Sequence, residues 1–201
     1  MIRRGIKRDL LSASKIFLAA FPESIEHYFD RPPSAKTVEL VFRTMLKAEP
    51  EAFFVAECQE QVVGYIFAPT NLSRLWIAAV GEFFTFRWVY LLLTGHLKLS
   101  CKSLWGLLNN KLSFIFAAKD QFPVKARILS IAISPEFQGK GLGKQLLATA
   151  LEYLDRKQVG AVRLEVRPVN VAAISLYQSF GFQRVGSTYD AQGEWLIMVR
   201  Q

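Results

Sequence analysis

The plainest chemical signal in this chain is the run Gln138-Gly139-Lys140-Gly141-Leu142-Gly143-Lys144. Glycines let a backbone come close to a ligand without Cβ clashes. An apolar helical repeat begins within the run. A helix start offers unpaired N–H groups and the positive end of its dipole, a ready anion site. Lys140 and Lys144 add two positive charges. The loop is therefore predicted to cradle phosphate, against the plainer alternative of a glycine-rich turn that only starts a helix. Its register excludes two common phosphate loops. A G-x-G-x-x-G fingerprint begun at Gly139 needs glycine where Lys144 stands. A P-loop needs glycine at Gln138 and serine or threonine at Gln145.

The elements around the loop follow from periodicity. Ile128, Leu129, Ile131 and Ile133 form a short apolar run that reads as a buried strand, ended by Pro135. Leu142, Leu146, Leu147, Ala150, Leu151 and Leu154 then recur at helical spacing. From Ala161 to Arg167, Val162, Leu164 and Val166 alternate with Arg163, Glu165 and Arg167, as in a strand. Asn170 precedes a short helix carrying Tyr177, and Gly181-Phe182 closes it.

Gln-x-x-Gly-x-Gly from Gln138 to Gly143 resembles the pyrophosphate signature of the GNAT superfamily of acetyltransferases. Glu165-Val166-Arg167, Asn170, Ala173-Ile174, Leu176-Tyr177 and Gly181-Phe182 are most similar to the ribosomal-protein N-terminal acetyltransferases within it. The resemblance implies an α+β fold, with a central mixed, mostly antiparallel sheet flanked by helices. It also implies acetyl-CoA as co-substrate, no metal, and acetyl transfer by direct attack of a primary amine. The acceptor would be a protein N-terminus or a small-molecule amine.

That reaction needs the thioester held, the amine neutral, the oxyanion stabilised and the thiolate protonated. An ammonium has no lone pair, so a base must take its proton, directly or through water. Glu165 leaves a central strand on the face opposite Val162, Leu164 and Val166, and the resemblance makes it that base. The competing role is a salt bridge with Arg163 or Arg167 on the same face. Tyr177 would be the acid for the departing thiolate; a tyrosine on a helix can also be core. Asn170 can cap its helix and, by resemblance, also touch the cofactor arm. Backbone groups of Ile131 and Ile133 should pair with the pantetheine arm as if it were another strand. An N–H of the same strand would face the oxyanion. The alternative is a non-catalytic acyl-CoA-binding module associated with a membrane surface or partner protein. A binder needs only the cradle, so the presence of both Glu165 and Tyr177 favours the enzyme.

A chain of 201 residues, 51% hydrophobic and 13% aromatic, suits one domain with a real core. The expectation is a single GNAT domain over 1–201. Its net charge of +8 could serve coenzyme A, an anionic membrane surface or RNA; no nucleic acid partner is expected. Cys58 and Cys101 have neither zinc spacing nor a disulfide framework, which suggests a reducing compartment. The basic N-terminus has no apolar core behind it, which argues against a signal peptide and for the cytoplasm. His27 and His96 have no partner spacing for metal.

In chain order, Ile2 to Lys7 can be an edge strand. Asp9 can cap a helix through Leu10, Leu11, Ile16, Phe17 and Ala20, limited by Pro22. Ser34 or Thr37 can cap a second, with Val38, Val41, Phe42, Met45 and Leu46 on one stripe. Ala52 to Cys58 and Val62 to Ala68 read as a hairpin turned at Gln59-Glu60-Gln61, with Gly64 a candidate bulge. The final hairpin pairs Gln183 to Tyr189 with Glu194 to Arg200. Residues 70–126 depart from the family and are expected to form a hydrophobic, basic helical insertion. Its first helix, from about Leu72 to Leu97, is apolar nearly all round; its second runs from about Ser103 to Ala118. Glu82 and Arg87 interrupt the first, below the roughly 20 apolar residues of a bilayer span. It must therefore bury its face on the domain, on a homodimer mate or at a membrane surface in peripheral contact. Because it joins the strands beside the cleft, it is expected to wall the acceptor side.

Overall fold

The computed structural model describes residues 1–29, 31–81 and 124–201. β1 (Ile2–Arg4), β2 (Phe53–Cys58), β3 (Gln61–Phe67) and β5 (Ser130–Ile133) form one antiparallel sheet in that order. β4 (Ala126–Arg127), β6 (Val162–Val166), β8 (Gly193–Arg200) and β7 (Gln183–Asp190) form a second, parallel only between β4 and β6. Helices α1 (Leu10–Ala20), α2 (Pro22–Tyr28), α3 (Ala35–Ala48), α4 (Leu72–Gly81), α5 (Leu142–Arg156) and α6 (Val171–Ser179) complete the α+β architecture among the described residues.

The apolar run before the glycine loop is not one strand, as its composition suggests, but two that serve different sheets. Ile128 N–H donates to Arg163 O of β6 at 2.9 Å, and Leu129 N–H donates to Phe67 O of β3 at 2.9 Å. Ser134 N–H also donates to β3, to Val63 O at 2.8 Å. In a regular strand, residues an odd distance apart turn their N–H groups to opposite edges. Leu129 and Ser134 break that rule, so one extra residue is taken up where Leu129 and Ser130 both face Phe67. This bulge swaps the phase of the strand. Beyond it, Ile131 and Ile133 turn their backbone groups to the edge away from β3, where the first sheet ends.

Both faces of the first sheet are covered. A Cβ on Gly64 would lie 2.4 Å from Ile133 Cδ1, 3.1 Å from Ala132 O and 3.4 Å from Leu146 Cδ1 of α5. Gly64 therefore makes room for close packing, and it also flanks the β2–β3 register shift, where Ala56 pairs with Gly64 and Glu57 with Val62, leaving Val63 as the extra residue. On the opposite face Tyr65 packs against Phe42 of α3, the rings tilted at 59° with centres 5.2 Å apart, and its hydroxyl meets Ser130 Oγ at 2.8 Å. Leu146, Leu147, Ala150, Leu151 and Leu154 are buried, as their spacing predicts.

Several local expectations change. Asp9 precedes α1 without capping it, because its carboxylate accepts from Ile6 N–H at 2.9 Å and from Arg3 at 2.7 and 2.9 Å. Pro22 does limit α1, which ends at Ala20, and it also opens a helix not expected from the sequence, α2, since proline suits a first helical position. Ser34 is the cap of α3, accepting Thr37 N–H at 3.2 Å. The β2–β3 turn is only Gln59 and Glu60, both left-handed, and Gln61 belongs to β3.

Of the expected insertion, α4 begins where the first helix was placed; 82–123, with the rest of that helix and the second, lies outside the described residues. The two ends of 70–126 meet. Arg127 N–H donates to Pro69 O at 3.0 Å and Leu72 N–H to Lys125 O at 3.1 Å. The buried Glu49 carboxylate anchors the exit, accepting Thr70 N–H at 2.9 and 3.1 Å and Tyr153 Oη–H of α5 at 2.7 Å. Among the described residues no helix is long and apolar enough to cross a membrane.

Gly64→Ala should cost about 1–3 kcal/mol by overpacking. Because the group it displaces is Ile133 on the free edge, it should also weaken binding of acetyl-CoA. Thermal melts with and without acetyl-CoA check both effects; a variant melting like wild type would mean that Ile133 yields freely.

Candidate active site

The glycine loop is open above its backbone. Gly139 and Gly141 both have φ +75°, and a Cβ on either would meet nothing within 4 Å. That left-handed conformation favours glycine. Gly141 sits at the N-cap of α5 without a side-chain cap, and the first helical bond is Gln145 N–H to Gly141 O at 3.1 Å. The N–H groups of Leu142, Gly143 and Lys144 are therefore left without intrahelical partners. Gln138, Lys140 and Lys144 are exposed, with Lys140 Nζ 4.7 Å from the Phe137 ring centre. An anion settling on this loop would meet backbone donors and two ammonium groups, so the residues fit a pyrophosphate.

The loop, the free strand edge and α6 converge. Gln138 Nε2 donates to Ile133 O at 3.2 Å. A Cβ on Gly143 would lie 3.8 Å from Leu176 Cδ2 and 3.9 Å from Ile133 Cγ1. The next residue, Tyr177, is buried with its ring 6.0 Å from that of Phe182. Its hydroxyl makes no hydrogen bond among the described residues, yet it is not sealed from solvent. Burial pushes the phenol up to about 12, so the group stays a donor at neutral pH. Asn170 fills its capping role, its Oδ1 accepting Ala173 N–H at 3.1 Å.

Glu165 is on the second sheet and is heavily committed. Its Oε1 accepts from Arg163 Nε at 2.7 Å and from Arg127 Nη1 at 2.5 Å. The salt bridge weighed from the sequence is thus present with Arg163, and Arg167 takes no part. Arg167 instead lies 5.3 Å over the Trp195 ring and donates to Glu194 O at 3.1 Å. Arg127 is the residue that sequence reasoning overlooked. The available signal was a lone arginine directly before the apolar run at Ile128, where a cation must find a buried partner. No hydrogen bond joins Glu165 to Tyr177 or to the loop among the described residues. His27 is exposed, and His96 lies outside those residues.

A family model described as "Acetyltransferase (GNAT) family" matches residues 13–182. N-alpha-acetyltransferase RimI of Mycobacterium tuberculosis is 47% identical over 64 residues, 32% of this chain and 39% of that protein. The [ribosomal protein bS18]-alanine N-acetyltransferase of Escherichia coli is 43% identical over 58 residues, 29% of this chain and 39% of that protein. These matches therefore span well under half the length of either relative. The crystal structure of the Escherichia coli ribosomal-protein-S18-alanine N-acetyltransferase superposes with a TM-score of 0.58 at 20% identity, covering 100% of this chain and 92% of that one. PH1933 from Pyrococcus horikoshii OT3 gives a TM-score of 0.65 at 19% identity, covering 100% and 97%. At these identities the structures speak for the fold alone.

Gly141→Asp would force a side chain into the left-handed turn and place a negative charge on the anion site. It should abolish the thermal shift that acetyl-CoA gives the wild-type protein by mass action. Wild-type affinity in this variant would mean that the loop is not the phosphate cradle.

Proposed function

The chain belongs to the GNAT acetyltransferase family, and from that premise we propose that it transfers an acetyl group from acetyl-CoA to the amine of a protein N-terminus. The observation that carries this reading is the free edge of β5, with Ile131 and Ile133 leading into the open glycine loop. A pantetheine arm can pair with that edge as an added strand, while the N–H groups from Gly141 to Lys144 and the two lysines hold its pyrophosphate. Bound there, acetyl-CoA supplies the thioester carbonyl that a neutral amine attacks. The Ile131 N–H is the donor for the carbonyl oxygen as it gains charge.

Glu165 takes the proton of the acceptor ammonium, directly or through water, and Tyr177 gives one to the leaving sulfur. The hydroxyl of Tyr177 supports this division, because it is within reach of solvent and makes no protein hydrogen bond among the described residues, so it is available to donate to a sulfur. Asn170 fixes the start of α6 and so the direction from which Tyr177 reaches the cleft. The names of the two similar proteins favour a protein N-terminus over a small-molecule amine as acceptor, and that of the Escherichia coli protein favours alanine there.

Release of coenzyme A thiol should be faster with a peptide beginning with alanine than with the same peptide blocked at its amine. Tight acetyl-CoA binding without turnover on any member of a panel of N-terminal peptides and small amines would sink the catalytic reading. Tyr177→Phe should lower kcat by about 10²–10³ while leaving acetyl-CoA affinity nearly unchanged. Since burial raises the Tyr177 pKa, the donor form persists to higher pH than in an ordinary tyrosine. Wild-type kcat should therefore show no alkaline limb from this residue at or below about pH 10. A limb there that disappears in Tyr177→Phe would contradict the assignment.

A further inference from the structure

The proposed base is held from two strands at the point where the sheets part. Arg163 and Glu165 lie two apart on one face of β6, and Arg127 is the register partner of Arg163 on β4. Their guanidinium groups both donate to the same oxygen, Glu165 Oε1, at 2.7 and 2.5 Å. The other oxygen, Oε2, accepts no bond among the described residues. The two arginine side chains are 6% and 8% exposed and the glutamate 23%, so the carboxylate is gripped from its buried side and open on the other.

We propose that Arg127 and Arg163 are positioning residues, which fix the Glu165 carboxylate by Oε1 and present Oε2 to the acceptor amine. This rests on the reading of Glu165 as the base. A glutamate side chain has several rotatable bonds, and holding it in one orientation opposes its rotamer entropy. Two donors converging on one oxygen from separate strands fix both the reach and the plane of the carboxylate. The proton leaving the ammonium nitrogen then goes to a defined atom, Oε2, and the N–H bond that breaks is replaced by an O–H bond on that oxygen. Ile128 N–H to Arg163 O, at 2.9 Å, is the backbone bond beside this clamp. The same three side chains therefore stitch β4 to β6 just before the strand crosses to the first sheet.

The test uses the full chain, acetyl-CoA and the peptide with the highest turnover in the panel above. Arg163→Gln should lower kcat at least tenfold with acetyl-CoA affinity within twofold of wild type. Arg163→Lys, which keeps a cation and a donor, should recover kcat to within about threefold. If Arg163→Gln fails to fold, Arg127→Gln takes its place, because it removes a donor to the same oxygen from the other strand; it should show the same split. Independently of turnover, Glu165→Gln should lower the melting temperature of the unliganded protein, since two buried cations lose a charged acceptor. Adding Arg163→Gln to Glu165→Gln should cost less than Arg163→Gln alone. Unchanged kcat in Arg163→Gln, or additive melting effects, would overturn the clamp while leaving the base in place. Parallel loss of kcat and acetyl-CoA affinity, without recovery by lysine, would also overturn it, as a purely structural joint. Full kcat in Glu165→Gln, or no turnover by the wild type, would remove the base reading and the proposal with it.

Discussion

One bulge in one strand decides where a ligand can pair with this protein. Ile128 and Leu129 send successive N–H groups to different sheets, and Ser130 then repeats the direction of Leu129. Without that extra residue, Ile131 and Ile133 would bond to β3 and the free edge would carry the groups of Ser130 and Ala132. With it, the edge that faces away from β3 runs straight into Gln138 and the glycine turns. Unpaired strand edges are a liability in most proteins, because they invite pairing with another chain. Here the edge is short, and it begins where the second sheet departs. The parting of the two sheets at Ile128 and Leu129 is therefore a matter of backbone phase.

The joints of this divided sheet are fastened by buried charge as much as by apolar packing. Glu49 ties the end of α3 to Thr70 and to Tyr153 of α5. Arg3 bonds both Asp9 and Glu57, joining β1, the start of α1 and the end of β2. Burial alone would push the Asp9 carboxyl up, but the bonds from Arg3 and from Ile6 N–H outweigh it and hold the group below the usual aspartate range. A carboxyl with a lowered folded-state pKa stabilises the fold above its ordinary pKa, and that contribution fades as pH falls through the folded value. Arg127, Arg163 and Glu165 are the third joint. Such clusters add little net stability compared with apolar residues of the same size, but each is costly to break. They suit places where geometry must be specified.

Much of this was legible in the sequence because it depended on local pattern. The glycine turn, the α5 repeat from Leu146 to Leu154, the alternation in β6 and the cap at Asn170 all follow from spacing and residue type. The bulge was not legible, because no glycine or proline marks Leu129-Ser130; it is defined by which carbonyl on β3 the two amides share. Gly64, a candidate bulge from the sequence, does flank the β2–β3 register shift, but it has a second role that the sequence did not show. Its lack of a side chain serves Ile133 and Leu146, contacts set by strand pairing and by the packing of α5. Asp9 looked like a cap until Arg3, brought near by the β1–β2 pairing, claimed its carboxylate. In the same way Arg163 and Arg167 were equal candidates as partners for Glu165, and Arg127 joined Arg163 only because the parallel register set the two side by side. Local signals name the residues; long-range pairing assigns their partners.

The cofactor and acceptor sides of the proposed site are consequently built from different materials. The cofactor side is largely main chain: glycine turns, the first N–H groups of α5 and the edge of β5. Such a surface constrains glycine positions and little else, which is why it stands out in a single sequence. The acceptor side is made of side chains on β6 and β4, with Glu165 held through Arg127. Arg127 follows directly on the return of residues 70–126, and its own N–H is bonded to Pro69 at their departure. A change in how that segment leaves and re-enters the sheet would act first on Arg127, and through it on the carboxylate. It would leave the glycine loop untouched. If Glu165 is the base, acceptor preference can diverge through Arg127 while the glycine loop stays fixed, because the described ends of 70–126 adjoin Arg127 and not the loop.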